Sequence, residues 1–250
     1  MNGIIKKILT IAILLLIIGV AFGFAFLRLQ ASGEESNYFN AKLRSKLSRS
    51  DLARAVFGLH YDGDARSDYL GNQMSEILIE VIPMEGLSVK HEIFDGLAST
   101  IERTVGKKTS VAYSFRNLPF ADVSKKEDLA KQLESLKINK KTKDRAMLYV
   151  LIANQDREKN LVGLTLQENA IILYEQNLMQ YEQEEDGTVF NKYATSVLLH
   201  EFGHQLGLSH NYFEECLMNT SVELSDRPVA AMIVDDFCEY EKRMINSMGY

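Results

Sequence analysis

The sequence predicts an α/β fold built on a mostly parallel sheet. One pattern in the sequence predicts it. From Met74 onward, short apolar runs rich in β-branched residues alternate with longer segments of helical periodicity. Helices that recur between strands are typical of parallel sheets, because a crossover must join two parallel neighbours.

Each element follows from its own pattern. Residues 77–82 and 147–153 are apolar and read as buried strands, and 110–115 reads as a strand that ends before Leu118 and Pro119. Residues 91–105 and 125–137 are predicted helices. The late pair 161–166 and 170–174 is separated by three residues, which indicates a hairpin. One antiparallel strand is therefore expected at an edge of the sheet.

Composition places the chain among ordinary globular proteins. Of its 250 residues, 46% are hydrophobic and 25% are charged, which excludes a disordered or low-complexity protein. Two cysteines are too few for a disulfide-dense scaffold or for a four-cysteine zinc site.

The N-terminus carries one long apolar segment. Between residues 8 and 27 the only polar side chain is Thr10, and a helix of this length spans about 30 Å, the thickness of a bilayer core. Lys6 and Lys7 precede the segment, so the positive-inside rule places the N-terminus in the cytoplasm and the rest outside. A cleaved signal peptide is the alternative, although the apolar run is longer than usual for one.

The predicted organisation has three parts. Residues 1–29 form the transmembrane anchor or signal peptide, 30–73 a stem, and 74–250 the main folded domain. The stem reads as a spacer helix, with a self-inhibiting pro-segment as the alternative. Three basic and no acidic residues lie in the first 28, which leaves 25 basic and 34 acidic residues and a net charge of −9. An acidic domain without a basic stripe excludes nucleic acid as an expected partner.

One segment carries chemistry. His200, Glu201, His204, Gly207 and His210 fit the pattern His-Glu-x-x-His-x-x-Gly-x-x-His. His200 and His204 are one helical turn apart and share a face. Gly207 tolerates a positive φ, so it can end the helix and bring His210 back as a third nitrogen ligand.

Three imidazoles without a thiolate favour one Zn²⁺ ion with a coordination position open to water, as in catalytic sites. Glu201 is rotated about 100° from His200 on the helix, so it can contact that water without binding the metal. The residues therefore predict Glu201 as general base, which takes a proton from the water and delivers it to the leaving amine.

This segment resembles the metzincins, zinc peptidases with a methionine turn below the metal. Met218, eight residues after His210, stands at the turn position. The chain is most similar to the archaemetzincins, in which four cysteines bind a second, structural zinc. Here Cys216 and Cys238 match two of them, whereas Asn211 and Glu241 stand where the others are expected. The resemblance thus implies one catalytic zinc and the loss of the second site.

The resemblance also implies the fold and the substrate surface. Metzincins have a twisted five-stranded sheet, an active-site helix and a small C-terminal subdomain. Peptide substrate lies along the antiparallel edge strand, which here corresponds to Leu161, Val162, Gly163, Leu164, Thr165 and Leu166. The two remaining family cysteines imply a Cys216–Cys238 disulfide in place of the lost zinc, with two unrelated buried thiols as the alternative.

Three functions follow as hypotheses. The first is a membrane-anchored zinc metallopeptidase that acts outside the cytoplasm on peptides or proteins. The second is a zinc-binding regulatory module with little hydrolysis, and the third is a zinc hydrolase of a non-peptide amide. Glu201 favours hydrolysis, because a module without turnover needs no general base.

Overall fold

The computed structural model describes residues 2–31, 39, 43, 47, 51–57, 66–72, 74–119, 126–154, 161–167, 169–179, 188–219, 222 and 233–248. The chain divides into two compact units, Met1–Tyr61 and Asp62–Tyr250. The middle of the predicted stem lies largely outside the described residues.

The N-terminal unit contains α1 (Asn2–Ala31) and α2 (Asp51–Phe57). The window Thr10–Leu27 of α1 has a mean hydropathy of 2.8, and none of it is buried. By length and composition α1 could be a membrane span or a signal sequence.

The second unit contains the sheet. Its elements in chain order are α3 (Arg66–Leu70), β1 (Glu76–Pro83), α4 (His91–Val105), β2 (Lys108–Tyr113), α5 (Lys126–Leu136), β3 (Arg145–Ala153), β4 (Gly163–Gln167), β5 (Ala170–Tyr174), α6 (Glu175–Leu178), α7 (Thr188–Gln205) and α8 (Glu239–Met248). The strand order is β2-β1-β3-β5-β4. The first four strands in this order are parallel, and β4 pairs antiparallel with β5. The prediction of a mostly parallel five-stranded sheet with an antiparallel edge strand is confirmed.

Two hydrophobic clusters cover the sheet. The larger contains Ile79, Phe94, Leu148 and Phe202, so it joins strands β1 and β3 to helices α4 and α7. The smaller includes Leu133 of α5 and Leu151 of β3. Because α7 packs into the larger cluster, its position is set by core packing.

Helix α3, within the predicted stem, belongs to the second unit. Tyr69 is fully buried, and its ring centroid lies 5.0 Å from that of Phe202. Its hydroxyl lies within hydrogen-bond distance of the Met147 carbonyl oxygen (3.0 Å) and of Gln205 Oε1 (3.1 Å). Residues 66–72 therefore support the end of α7, and the compact unit starts earlier than the predicted boundary at residue 74.

Candidate metal and active site

Helix α7 places the first two histidines of the pattern. Its residues Ala194, Val197 and Leu198 are fully buried in the core. His200 is also fully buried, whereas His204 is only partly buried. One turn of helix separates them, so both imidazoles lie on the same face of a helix held by the core.

A sharp turn brings the third histidine to the other two. Gly207 adopts φ +88°, and its N–H donates to the His204 carbonyl oxygen (2.8 Å). The Leu208 N–H donates to the Gly203 carbonyl oxygen (3.0 Å). These two hydrogen bonds form a Schellman turn, which requires a left-handed residue where the sequence has glycine. His210, which is exposed, follows directly.

The three imidazoles present their Nε2 atoms to one point. Nε2 of His210 lies 3.2 Å from Nε2 of His200 and 3.0 Å from Nε2 of His204. Nδ1 of His200 donates to the Leu217 carbonyl oxygen (2.7 Å), and Nδ1 of His204 to the Leu208 carbonyl oxygen (3.0 Å). A carbonyl only accepts, so the proton of these rings is on Nδ1 and the lone pair on Nε2.

This arrangement fits Zn²⁺. Zinc binds histidine nitrogens at about 2.0–2.1 Å in tetrahedral geometry, which places neighbouring nitrogens a little over 3 Å apart. Three imidazole lone pairs facing one point, with two of the rings oriented by backbone carbonyls, form the usual ligand set of a catalytic zinc.

Glu201 lies beside the histidines and contacts the edge strand. It is 2% exposed, and its Oε2 accepts a hydrogen bond of 2.8 Å from Thr165 Oγ1 of β4. Gly163 makes this approach possible, because a Cβ there would overlap Val197 Cγ1 and lie 3.3 Å from Glu201 Cγ. The carboxylate is therefore held between α7 and β4.

The predicted substrate strand is placed next to the site. Strand β4 begins at Gly163, so Leu161 and Val162 precede it, while Leu164, Thr165 and Leu166 lie within it. It ends the strand order, and on its outer side there is no further strand in the part of the chain that the structure describes. That edge leaves backbone groups for another extended chain.

Met218 packs against α7 at Gly203. It is fully buried, and a Cβ at Gly203 would overlap its Sδ and lie 3.1 Å from a ring carbon of Phe237. Glycine at position 203 therefore allows the methionine to approach α7 between His200 and His204. That Met218 lies below a bound metal stays a prediction from the metzincin resemblance.

A second cluster lies behind the methionine. Cys216 and Cys238, 22 residues apart, form a disulfide with a Cα–Cα distance of 5.0 Å. Glu241 of α8 is 1% exposed, and its carboxylate accepts hydrogen bonds from Asn211 Nδ2 (2.9 Å) and from the backbone N–H groups of Leu217 (3.1 Å), Met218 (2.7 Å) and Cys238 (3.1 Å). All four positions of the expected second zinc site thus meet, with a covalent bond and hydrogen bonds among them.

Sequence reasoning missed three contributions to the site. The hydroxyl of Thr165 on Glu201, the close approach at Gly203 and the hydrogen bonds of Glu241 were not anticipated. For the hydrogen bonds of Glu241, the only signal in the sequence was that Glu241 stands where the resembling family has a cysteine.

A family model covers this region of the chain. The matrixin model matches residues 165–242, from the edge strand through the three histidines and the methionine to α8. No curated protein matches the chain.

Three solved structures, two of them archaemetzincins, align with about two thirds of the chain or more. An archaemetzincin from Methanopyrus kandleri is 15% identical, with 71% of this chain and 96% of that chain covered and a TM-score of 0.49. An archaemetzincin from Archaeoglobus fulgidus, complexed with malonate, is 18% identical, with 69% and 99% covered and a TM-score of 0.40. A zinc-dependent peptidase from Methanocorpusculum labreanum is 17% identical, with 67% and 100% covered and a TM-score of 0.46.

Proposed function

We propose that this chain, a metzincin-like zinc metallopeptidase, hydrolyses peptide bonds outside the cytoplasm with Glu201 as its general base. One observation carries the proposal. The Nε2 atoms of His200, His204 and His210 converge beside a buried glutamate, within the segment that the matrixin model matches. Metal ligands, a base and an open strand edge are the parts that peptide hydrolysis requires.

The three histidines would hold one Zn²⁺ ion. When bound, zinc lowers the pKa of its water toward about 7 and polarises the carbonyl of the scissile bond. The exposed side of His210 faces solvent, so this end of the ligand set is where water and substrate can enter.

Glu201 moves the proton. Thr165 donates to Oε2, which orients the carboxylate and leaves Oε1 to accept the proton of the water. Burial of Glu201 excludes competing solvent from the carboxylate. The same carboxyl then delivers the proton to the leaving amine nitrogen, as a general base that becomes a general acid.

Strand β4 would bind the substrate. Its outer edge can pair with an extended peptide through backbone hydrogen bonds, which gives affinity without a fixed side-chain preference. Because Thr165 of β4 contacts Glu201, a peptide on this edge lies beside the base. We therefore infer that peptides or proteins in extended conformation are the substrates.

Helix α1 would anchor the enzyme. Its apolar window is long enough to cross a bilayer, and Lys6 and Lys7 favour a cytoplasmic N-terminus. In this orientation the domain that follows α1 is accessible from outside the membrane. Protease added to intact cells should digest residues after α1, and protection of these residues until lysis would contradict this orientation.

Cleavage of a mixed peptide library by the full chain in detergent tests the activity. We expect turnover that a chelator abolishes and that zinc restores. Glu201→Gln should keep one zinc per chain and lower turnover at least about 100-fold, the usual contribution of a general base. Glu215→Gln is the control, because Glu215 is exposed.

Two results would contradict the proposal. Wild-type turnover in Glu201→Gln would exclude Glu201 as the base. Bound zinc with no cleavage of any peptide would favour a zinc-binding module or an enzyme for another amide bond.

A further inference from the structure

We infer that Glu241 is a positioning residue for the zinc ligand His200 and acts on it through one peptide group. The inference rests on the proposed function only in that the three histidines bind zinc. The group is the one between Leu217 and Met218: its C=O accepts from His200 Nδ1 at 2.7 Å, and its N–H donates to Glu241 Oε1 at 2.7 Å. Carboxylate, peptide and imidazole therefore form one continuous hydrogen-bonded chain.

The charge of Glu241 has a consequence at His200. A carboxylate bound to a peptide N–H polarises the group, so its carbonyl oxygen becomes a stronger acceptor. Hydrogen bonds to an ionised partner are also roughly twice as strong as neutral ones. The Leu217 carbonyl thereby fixes the proton of His200 on Nδ1 and directs the Nε2 lone pair to the metal.

This arrangement is a variant of the way in which proteins commonly orient a metal-bound histidine. Metal-bound histidines commonly donate their other N–H to a carboxylate or a backbone carbonyl, which fixes the ring and raises its basicity. Here a backbone carbonyl is the direct partner, and a buried carboxylate stands behind it. The chain thus combines both kinds of support in series.

The Glu241 carboxylate also holds the residue next to a second zinc ligand, His210. Asn211 follows His210 directly, and its Nδ2 donates to Glu241 Oε1 at 2.9 Å. One buried side chain of α8 therefore links the segments that carry or support two of the three histidines. The disulfide keeps the Cys238 N–H, a third donor to Glu241, in the same cluster.

Zinc affinity of the full chain in detergent tests the inference. Glu241→Gln retains the size of the side chain but removes its charge. Because both oxygens of Glu241 accept from N–H groups, the NH₂ group of the glutamine must face a donor instead of an acceptor. We expect chelator competition to show zinc binding weakened by about tenfold or more, the usual effect of outer partners of metal ligands. Glu239→Gln, two residues earlier on the same helix and exposed, should bind zinc as wild type does.

A second measurement separates positioning from simple stability. Histidine ¹⁵N NMR of the zinc-free protein should show His200 protonated on Nδ1 in the wild type and a mixture of tautomers in Glu241→Gln. If this variant is less stable but keeps the wild-type tautomer and zinc affinity, Glu241 is only a structural residue and the inference is wrong.

The wild-type protein provides a test that needs no folded variant. The Met218 amide proton, bound to a buried carboxylate at 2.7 Å, should resonate far downfield and shift again when zinc binds. An ordinary shift that does not respond to zinc would overturn the inference. These readouts do not measure hydrolysis, and those made without zinc stay valid even if the chain proves not to be a peptidase.

Discussion

Two clusters of side chains of the types that bind metals differ in what their ligand atoms contact. The histidine cluster (His200, His204 and His210) and the cysteine–glutamate cluster (Cys216, Cys238 and Glu241) each bring their ligand atoms within 4.8 Å of one another. In the histidine cluster the Nε2 atoms face one point. In the cysteine–glutamate cluster the sulfurs are bonded to each other and the carboxylate accepts four N–H groups.

The comparison shows that proximity of ligand residues does not define a metal site. A metal must replace whatever its ligands already bind, and each ligand must be deprotonated. Imidazoles fixed through Nδ1 keep Nε2 directed at a cation, whereas a disulfide has no thiolate to offer. Access differs too, because His210 is exposed while Cys216 and Glu241 are buried.

The largest effect is expected from placing thiols at positions 211 and 241, where the family resemblance implies cysteines. Asn211→Cys combined with Glu241→Cys gives four cysteines at positions that already meet in the structure. Under reducing conditions and with saturating zinc, we expect two zinc ions per chain by metal analysis. Structural zinc in zinc-finger peptides binds with a free energy of about 10–16 kcal/mol at neutral pH, and a comparable value would fill this site.

A matched variant controls for the loss of the native side chains. Asn211→Ser combined with Glu241→Ser removes the same hydrogen bonds but adds no thiol, so it should bind one zinc. If the four-cysteine variant also binds only one, the cluster cannot be converted by ligand chemistry alone.

Removal of the disulfide should lower the stability of the protein without changing its zinc content. Cys216→Ala with Cys238→Ala opens a loop of sequence separation 22 and should lower the free energy of unfolding by about 3 kcal/mol in the chain-entropy model. Zinc content should stay at one, because neither cysteine belongs to the histidine cluster. Urea unfolding and metal analysis measure the two effects, and unchanged stability would show that hydrogen bonds alone hold the cysteine–glutamate cluster.

Much of the fold could be predicted because its signals are local. The alternation of helix and strand and the late hairpin follow from periodicity within short windows, and all are found in the structure. Boundaries were less predictable where charged residues pair across strands. Strand β3 begins at Arg145, two residues before the predicted start at Met147, because Arg145 pairs with Glu76 of β1 (Nε–Oε1 2.7 Å). Such a charged strand end reads as loop in a single sequence.

The site likewise contains a part that local sequence predicts and a part that depends on long-range packing. Its three histidines and Glu201 lie within eleven residues, so helical spacing together with the turn at Gly207 brings them together. Thr165 reaches Glu201 across 36 residues, and Glu241 reaches Met218 across 23. Those contacts depend on how β4 and α8 pack against α7 and the methionine turn, which no local pattern encodes.

The smallest predicted effect concerns the boundary between the two clusters, at Gly203. A methyl group there would overlap Met218 Sδ and press on the ring of Phe237 at 3.1 Å. Gly203→Ala should therefore lower the free energy of unfolding by about 1–3 kcal/mol, the usual cost of overpacking a core. Displacement of Met218 should also weaken zinc binding, since its N–H belongs to the peptide group that supports His200.

Gly96→Ala is the matched control for this substitution. Gly96 lies within helix α4, and a Cβ there would meet only the Thr195 side chain at 3.5 Å, an ordinary contact. Alanine is favoured over glycine inside a helix by roughly 0.5–1 kcal/mol, so this variant should be at least as stable as wild type. Urea unfolding and chelator competition compare the two. If Gly203→Ala matches Gly96→Ala in both, the close packing of Met218 on α7 does not couple the clusters, and the histidine cluster forms independently of what lies behind it.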